Sequence, residues 1–300
     1  MRVARVKETY SVNDTYTIWA IGDTHLGAVD VDEELLKEHL AEIAADPNAR
    51  IVFMGDAGDL IDWRDKRFQA GMWPRRYQDA MNAEGGIPSE TVAHNVELFW
   101  DVRKKIWAWL SGNHERTVRN RYDREIGSEI AAALGCEYLG YGGYIRVEWN
   151  RKTSKANGAE IVTIIDVQHG WQAGRTAGAK INQLEKMLGE SDADIILRGH
   201  SHEKVAHIFP SLRIAPTCVK EWERVCGHTG SYKLGRVDTK GGEENHDTWE
   251  ETKGFRRKIE ATMGPPLIEM RLGQSTHKAG RSNNGANRVA KSPVKYRVIL

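Results

Sequence analysis

The sequence predicts an α/β fold, and three observations lead there. Short apolar runs rich in β-branched and aromatic residues alternate with segments whose apolar residues recur at helical spacing. Five of those runs stop abruptly at a turn carrying Asp, Asn or His. The 300 residues, 40% hydrophobic and 28% charged, suffice to bury a sizeable core in one large domain or two smaller ones.

The first run, Tyr16 to Ile21, ends in "GDTHLG". "VDEELLKEHLAEIAAD" then sets Leu35, Leu36, Leu40, Ile43 and Ala44 at helical spacing, with Pro47 beyond as a stop signal. The run Ile51 to Met54 ends in "GDAGD". Residues 62–88, with "WRDKRFQAGMWPRRYQDA", read as a polar, aromatic insertion. "SETVAHNVELFWDVRKK" predicts a helix capped by Ser89, "IWAWL" a strand, and "SGNHE" the turn after it. "RYDREIGSEIAAALGC" predicts a helix ending at Gly135. "YIRVEWN" is a strand, "RKTSKANG" a hairpin loop, and "EIVTIIDVQHG" a buried strand ending in His-Gly. "KINQLEKMLGE" is a helix, "ADIILRGHSHE" a strand, and "VAHIFPSLRIAPTC" two short strands.

From Gly227 the texture changes. The acidic, breaker-rich "DTKGGEENHDTWEETKG" predicts an exposed variable loop within 227–265, followed by a strand in "PPLIEMRL". The expected organisation is one domain over 1–272 and a basic tail over 273–300. No acidic residue follows Glu269, whereas Arg271, Lys278, Arg281, Arg288, Lys291, Lys295 and Arg297 do. "QSTHKAGRSNNGANRVAKS" has a disorder-like composition, and "VKYRVIL" alternates enough to add a last strand.

A net charge of +1 gives no whole-chain argument for a polyanionic partner. Cys136, Cys218 and Cys226 form no paired framework and no CxxC motif, which favours a reducing compartment. The amino terminus has no apolar signal core, and no stretch approaches the ~18–20 apolar residues of a membrane span. A cytosolic protein is expected. Core packing is the default role of the abundant Trp residues, with base stacking open to those that flank a site.

The chemistry lies in the strand-end groups: Asp23 and His25 in "GDTHLG", Asp56 and Asp59 in "GDAGD", Asn113 and His114 in "GNHE", His169 in "QHG", and His200 and His202 in "GHSH". Each alone is an ordinary turn residue. Together, at the ends of apolar runs, they form a ligand supply of carboxylates and imidazoles, which suits borderline divalent metals such as Mn, Fe, Ni and Zn. The absence of thiolate argues against a structural zinc knuckle, and the His content against a dedicated Ca or Mg cage. The supply is enough for two ions. Two ions ~3.5–4 Å apart can hold a hydroxide between them and stabilise in-line displacement at phosphorus.

This set resembles the calcineurin-like metallophosphoesterase superfamily, whose blocks run GDxH, GDxxD, GNH[DE], H and GHxH. All five lie between Gly22 and His202. The resemblance implies a four-layer α/β/β/α sandwich of two mixed sheets, with the site at the strand carboxyl ends. It implies a first metal on Asp23, His25, Asp56 and His202, and a second on Asp56, Asn113, His169 and His200. The cofactor expected is therefore two divalent metal ions, Mn foremost, with Fe, Zn, Ni, Co or Mg as alternatives. By the same resemblance His114 is no ligand. It sits over the scissile phosphate, donates to a phosphoryl or leaving oxygen, and is supported by the carboxylate of Asp59. Ser/Thr phosphatases of the superfamily continue GDxxD with Arg-Gly. Leu60-Ile61 stand here instead, which speaks against a protein phosphatase.

The expected reaction is phosphoester hydrolysis, with DNA or RNA as the favoured substrate class. Arg116, Arg119 and Arg121 follow the GNHE turn, and Trp171, Arg175 and Lys180 follow His169. Of these, Arg116, Arg119, Arg175 and Trp171 are the candidate substrate contacts. The glycines of "AGRTAGAK" allow close backbone approach to a phosphate, without a Walker pattern. "WRDKRF" and "WPRRY" interleave bases with aromatics, as a single-strand binder does. The chain is similar to metallophosphoesterases of phages and prokaryotic mobile elements, which also carry basic residues after GNHE and a later "GYGGYIRV"-like strand. The alternatives are a phosphoesterase for a nucleotide or other small phosphoester, and a non-catalytic scaffold of the same fold. A scaffold would be expected to have lost ligands, and this chain keeps them.

Overall fold

The computed structural model describes residues 2–69, 71–152, 161–170, 177–215, 218–236, 262–273 and 292–300. The run around Ile18 forms β2 (Thr15–Trp19), and Ile51 to Phe53 lie in β3 (Ala49–Phe53). "IWAWL" is β4 (Ile106–Leu110), and β5 (Glu137–Gly140) follows. These four are parallel, and β11 (Leu267–Leu272) and β12 (Val294–Ile299) extend the sheet antiparallel in the order β12-β11-β2-β3-β4-β5. The second sheet orders β1 (Arg2–Tyr10), β6 (Gly142–Arg151), β7 (Ile161–Gln168), β8 (Ile195–Arg198), β10 (Cys218–Thr229) and β9 (Lys204–Ala215). Here β7, β8 and β10 are parallel, while β6 and β9 run against their neighbours β7 and β10.

The layers follow from which face of each strand is apolar. Ile18, Val52, Met54 and Leu110 of one sheet meet Ile145, Val147, Trp149, Ile165, Val167 and Leu197 of the other in a buried inter-sheet layer. Ile51, Phe53 and Trp109 point outward under α1 (Glu33–Ala45), α3 (Gly86–Phe99) and α5 (Ile126–Leu134), which contribute Leu36, Ile43, Phe99 and Ile130. On the far side α6 (Ala177–Glu190) lays Leu184 and Met187 on Ile196 and Cys226. The result is the four-layer α/β/β/α sandwich. A bulge in β4, where Ile51 pairs with Ile106 but Val52 with Ala108, turns both Trp107 and Ala108 into the inter-sheet layer. Trp109 then stacks on Phe53 at 3.7 Å between ring centroids.

Most expected elements are present, and α1 is capped as its sequence suggests, with Asp32 accepting from the Leu35 amide at 3.0 Å. Five local readings need correction. The helix assigned to Ser89 begins at Gly86. Gly85, at φ 83°, makes the turn, and Pro88 fits the first helical turn, where its missing N–H costs nothing. "SGNHE" is less a turn than a helix start, since Asn113 opens α4 (Asn113–Tyr122). "RYDREIG" breaks between α4 and α5 because Asp123 adopts φ 53°. "VAHIFPSLRIA" is one long strand, β9; it is the sheet edge, so Pro210 breaks no ladder on its open side. Residues 227–236 are not exposed loop: β10 reaches Thr229, and Ser231, Tyr232 and Lys233 are buried. The insertion contains a short helix, α2 (Arg75–Ala80). The strand expected at the extreme end is β12, paired along β11. Residues 153–160, which hold all but the first two residues of the expected hairpin loop, and residues 237–261 lie outside the described residues. Among the described residues no helix is long and apolar enough to cross a membrane.

One polar cluster ties the sheets together. Glu8 of β1 accepts from Nε and Nη2 of Arg50 on β3, at 2.5 and 2.8 Å, and from Nε1 of Trp107 at 3.0 Å. Glu8→Ala would strand an arginine and an indole N–H in a half-buried seam. It is expected to cost about 2–3 kcal/mol in urea unfolding. Near α1, His94 lies 3.4 Å from Glu33, and its hydrogen bond, aided by Lys37, outweighs burial and holds Glu33 down to about 2. A depressed carboxylate stabilises the fold above its unfolded pKa and loses that contribution as pH falls. Glu33→Gln should therefore flatten the decline in stability between about pH 5 and 2. Melting temperatures of both forms across that range check it.

Candidate metal centre

Every expected ligand sits just past a strand end. Asp23 and His25 follow β2, Asp56 follows β3, and Asn113 follows β4. His169 follows β7, and His200 and His202 follow β8, so both sheets contribute. The backbone there is forced: Asp23, His25, Asp56, His200 and His202 all have φ between 46° and 63°. Non-glycine residues seldom adopt this left-handed region, and clusters of it mark functional turns. Crossed loop bonds hold it, from Asp23 N to Gly55 O at 2.8 Å and from His25 N to Asp56 O at 3.0 Å. Gly112 is needed for space, since a Cβ there would lie 2.1 Å from Oδ1 of Asp56.

The side chains converge in two groups, Asp23, His25 and His202, and Asp56, His169 and His200, each with donor atoms within 4.8 Å of one another, and His25 and Asp56 also form such a group with His114. Oδ1 of Asp23 lies 3.4 Å from Nε2 of His202 and 3.9 Å from Nε2 of His25. Oδ2 of Asp56 lies 3.3 Å from Nε2 of His169 and 3.8 Å from Nε2 of His25, between the two groups. Oδ1 of Asn113 is 3.1 Å from Nε2 of His169 and 2.7 Å from Nδ1 of His200. Nδ1 of His169 donates to the Met54 carbonyl at 2.8 Å, which turns the Nε2 lone pair toward Asp56 and Asn113.

This donor set fits divalent cations. Oδ1 of Asp23 and Oδ2 of Asp56 are buried and accept no hydrogen bond of ordinary geometry among the described residues. Buried carboxylate oxygens that face only imidazole nitrogens form a gap for positive charge. The titration behaviour agrees. Burial opposes a charge on His169, yet Asp56 and Asp23 prevail and raise it to about 10. Burial, with His114 and His202 close by, outweighs the contact with the Asp59 carboxylate and lowers His25 to about 4.

His114 is buried against this cluster, its ring centroid 4.6 Å from that of His25. Its support differs from the expected one. Nδ1 donates to the main-chain carbonyl of Asp59, while the Asp59 carboxylate lies 3.9 Å away and is closer, 3.3 Å, to Nδ1 of His25. Burial favours protonation of Asp59, but Lys233, with Nζ at 3.5 Å, and His25 hold it far below the usual carboxylate range.

Three side chains of this centre were not singled out from sequence. Glu115, fully buried, accepts from the amides of Gly112 at 2.6 Å, Ala57 at 2.7 Å and Asp56 at 3.2 Å. It thereby staples the loop after β3 to the start of α4, and burial and Asp56 push it up to about 7. The capping-box position of Glu in "GNHE" was its only signal. Lys233 lay in the segment read as exposed. Arg67, in the insertion, places Nη1 3.0 Å from Nε2 of His114. Of the expected substrate contacts, Arg116 and Arg119 are exposed on α4, Arg119 paired with Glu125 at 3.2 Å and Arg116 6.0 Å from the Tyr141 ring. Arg121 pairs with Asp62 at 2.7 Å, and Lys180 is buried in α6. Trp171 and Arg175 lie outside the described residues.

The calcineurin-like phosphoesterase profile matches residues 16–204, well over half of the chain and all of the ligand turns. The chain belongs to the calcineurin-like phosphoesterase family. No curated protein matches it. Solved structures similar in fold include Vacuolar Protein Sorting 29 from Cryptosporidium parvum, 12% identical, covering 95% of this chain and 98% of that one with a TM-score of 0.33. A predicted phosphoesterase from Streptococcus pneumoniae is 13% identical over 95% and 99% of the two chains, TM-score 0.28. Vps29 from Entamoeba histolytica, solved as a zinc complex, is 11% identical over 94% and 98%, TM-score 0.28. At these values the likenesses carry no argument about activity. The family binds divalent metals, and the two donor groups described above are where this member could hold them.

Glu115→Ala would leave buried amides of two loops without an acceptor. It is expected to lower unfolding free energy by about 3 kcal/mol and weaken Mn²⁺ binding at the same time. Urea titration and calorimetric Mn²⁺ titration check the two effects.

Proposed function

We propose that the chain is a phosphoester hydrolase using two divalent metal ions, and that its substrates are phosphodiesters of nucleic acid. The observation that carries the first part is the meeting of Asp23, His25, Asp56, Asn113, His169, His200 and His202 around the bridging position of Asp56. Asp23, His25, Asp56 and His202 would hold one ion, and Asp56, Asn113, His169 and His200 the other; bound there, the pair supplies Lewis acidity to a phosphoryl group and acidifies water. Mn²⁺ is the first choice for this mixed carboxylate and imidazole set. His114 stands at the edge of the cluster with Nε2 directed away from its Asp59 anchor, where it can hydrogen-bond a phosphoryl or leaving oxygen. The Asp59 carbonyl orients the ring, and the Asp59 carboxylate, kept ionised by Lys233, adds negative potential beside it.

The second part rests on the insertion. Trp63 is 68% exposed, and the guanidinium of Arg64 lies 4.7 Å from its ring and 6.0 Å from that of Tyr122 on α4. An exposed Trp–Arg–Tyr stack beside the helix that begins with Asn113 and His114 suits bases on rings and phosphates on guanidinium. Free Cys136 and buried Cys226 suit the reducing, cytosolic setting that this reading assumes.

Hydrolysis of bis-p-nitrophenyl phosphate, p-nitrophenyl phosphate and labelled single- and double-stranded DNA in Mn²⁺ tests both parts. Asp56→Asn is expected to lower turnover at least about a hundredfold, since even outer-shell ligand partners are worth ~10–100-fold. Its metal-free melting temperature should move far less than turnover, because Asn keeps the oxygen that accepts from the His114 amide at 2.9 Å. His114→Ala should lower turnover about 10²–10⁴-fold with Mn²⁺ affinity retained. Diester cleavage with DNA left intact would replace the nucleic-acid reading by a nucleotide-sized substrate.

A further inference from the structure

Arg67 is held as a substrate-gripping arginine is held. Nε and Nη2 donate to Oδ1 and Oδ2 of Asp65, both at 3.0 Å, so one edge of the guanidinium is fully engaged. Asp65 lies 3.9 Å from Arg121, which pairs with Asp62 at 2.7 Å. The insertion is thereby moored to α4, the helix that carries Asn113 and His114. The free edge, Nη1, points at Nε2 of His114, 3.0 Å away. Since Nδ1 of His114 donates to a carbonyl, Nε2 is the acceptor in that contact.

A guanidinium against an imidazole, at the rim of a centre built for cations, is a poor resting pair. As an acceptor the imidazole takes a hydrogen bond but offers the guanidinium no counter-charge. The charge of Arg67 is sustained instead by Asp65 and, at longer range, by Asp59 and Asp56. An anion seated between His114 and the cation cluster completes the arrangement. His25, Asp56 and His114 have donor atoms within 4.8 Å of one another, and Nη1 lies 3.0 Å from Nε2 of His114, so an anion seated against that ring is beside Nη1.

We infer that Arg67 binds a non-bridging oxygen of the scissile phosphate, and that substrate takes the place of His114 on Nη1. The exchange frees Nε2 of His114 from Arg67, with Asp65 as the positioning residue that keeps the guanidinium aimed. This rests on the phosphoesterase reading. It assigns to the insertion a role in binding phosphate itself, in addition to bases.

The test is calorimetric titration of inorganic phosphate into the Mn²⁺-loaded full chain, together with phosphate inhibition of bis-p-nitrophenyl phosphate hydrolysis. Arg67→Ala is expected to weaken phosphate binding roughly ten- to a hundredfold and raise KM in step, with Mn²⁺ affinity and melting temperature unchanged. Arg67→Lys, which keeps the charge but not the fork held by Asp65, should restore part of the loss. Wild-type phosphate affinity in Arg67→Ala would overturn the assignment, as would a parallel fall in Mn²⁺ affinity, which would make Arg67 part of the cation site. No phosphate binding by the wild type also overturns it. Arg67-dependent phosphate binding without turnover of any ester would keep this assignment and sink the phosphoesterase reading.

Discussion

Seven side chains crowd nitrogen and oxygen donors into one small volume at the ends of five strands, with the buried carboxylates of Asp23 and Asp56 among them. Nothing local favours it, since Asp23, His25, Asp56, His200 and His202 each also adopt a left-handed backbone. The rest of the molecule must therefore over-determine these turns. It does so with backbone bonds between adjacent loops, with glycines whose missing Cβ atoms let loops touch, and with Glu115, which gathers amides from two loops onto one buried carboxylate.

The two sheets matter because the candidate ligands are divided between them. Three ligand turns leave β2, β3 and β4, and two leave β7 and β8. Their meeting requires the sheets to stack with one relative placement. The inter-sheet layer of Ile, Val, Leu and Trp supplies the bulk of that fit, and the Glu8–Arg50–Trp107 cluster adds direction at its margin. Hydrophobic burial alone is non-directional, so a polar tie between sheets specifies what packing leaves loose.

Two further groups of the site come from elsewhere in the chain. Lys233 arrives from the segment after β10 and fixes the charge of Asp59. Arg67 arrives from the insertion and meets His114 from the opposite side. The candidate metal ligands thus belong to the strand ends, whereas Lys233 and Arg67 are carried by connections, which vary without disturbing the sheets.

The alternation of elements and the strand-end Asp, Asn and His residues in five turns were legible in the sequence. Each is a local pattern: an apolar run of strand length, followed by glycine and a donor. The strand at Val294–Ile299 was legible for the same reason. What tertiary structure decided was every relation between distant segments. Pro210 is tolerated in a long strand only because β9 is a sheet edge. Tyr232 and Lys233 are buried although their neighbourhood reads as polar loop, because β10 carries them beside Asp23 and Asp59. Asp59 supports His114 through its carbonyl rather than its carboxylate, and Arg67 stands where no spacing rule would put it. Periodicity and turn chemistry depend on a few neighbours in sequence. Partners 47 or 174 positions apart, as Arg67 is from His114 and Lys233 from Asp59, are chosen by how the layers pack.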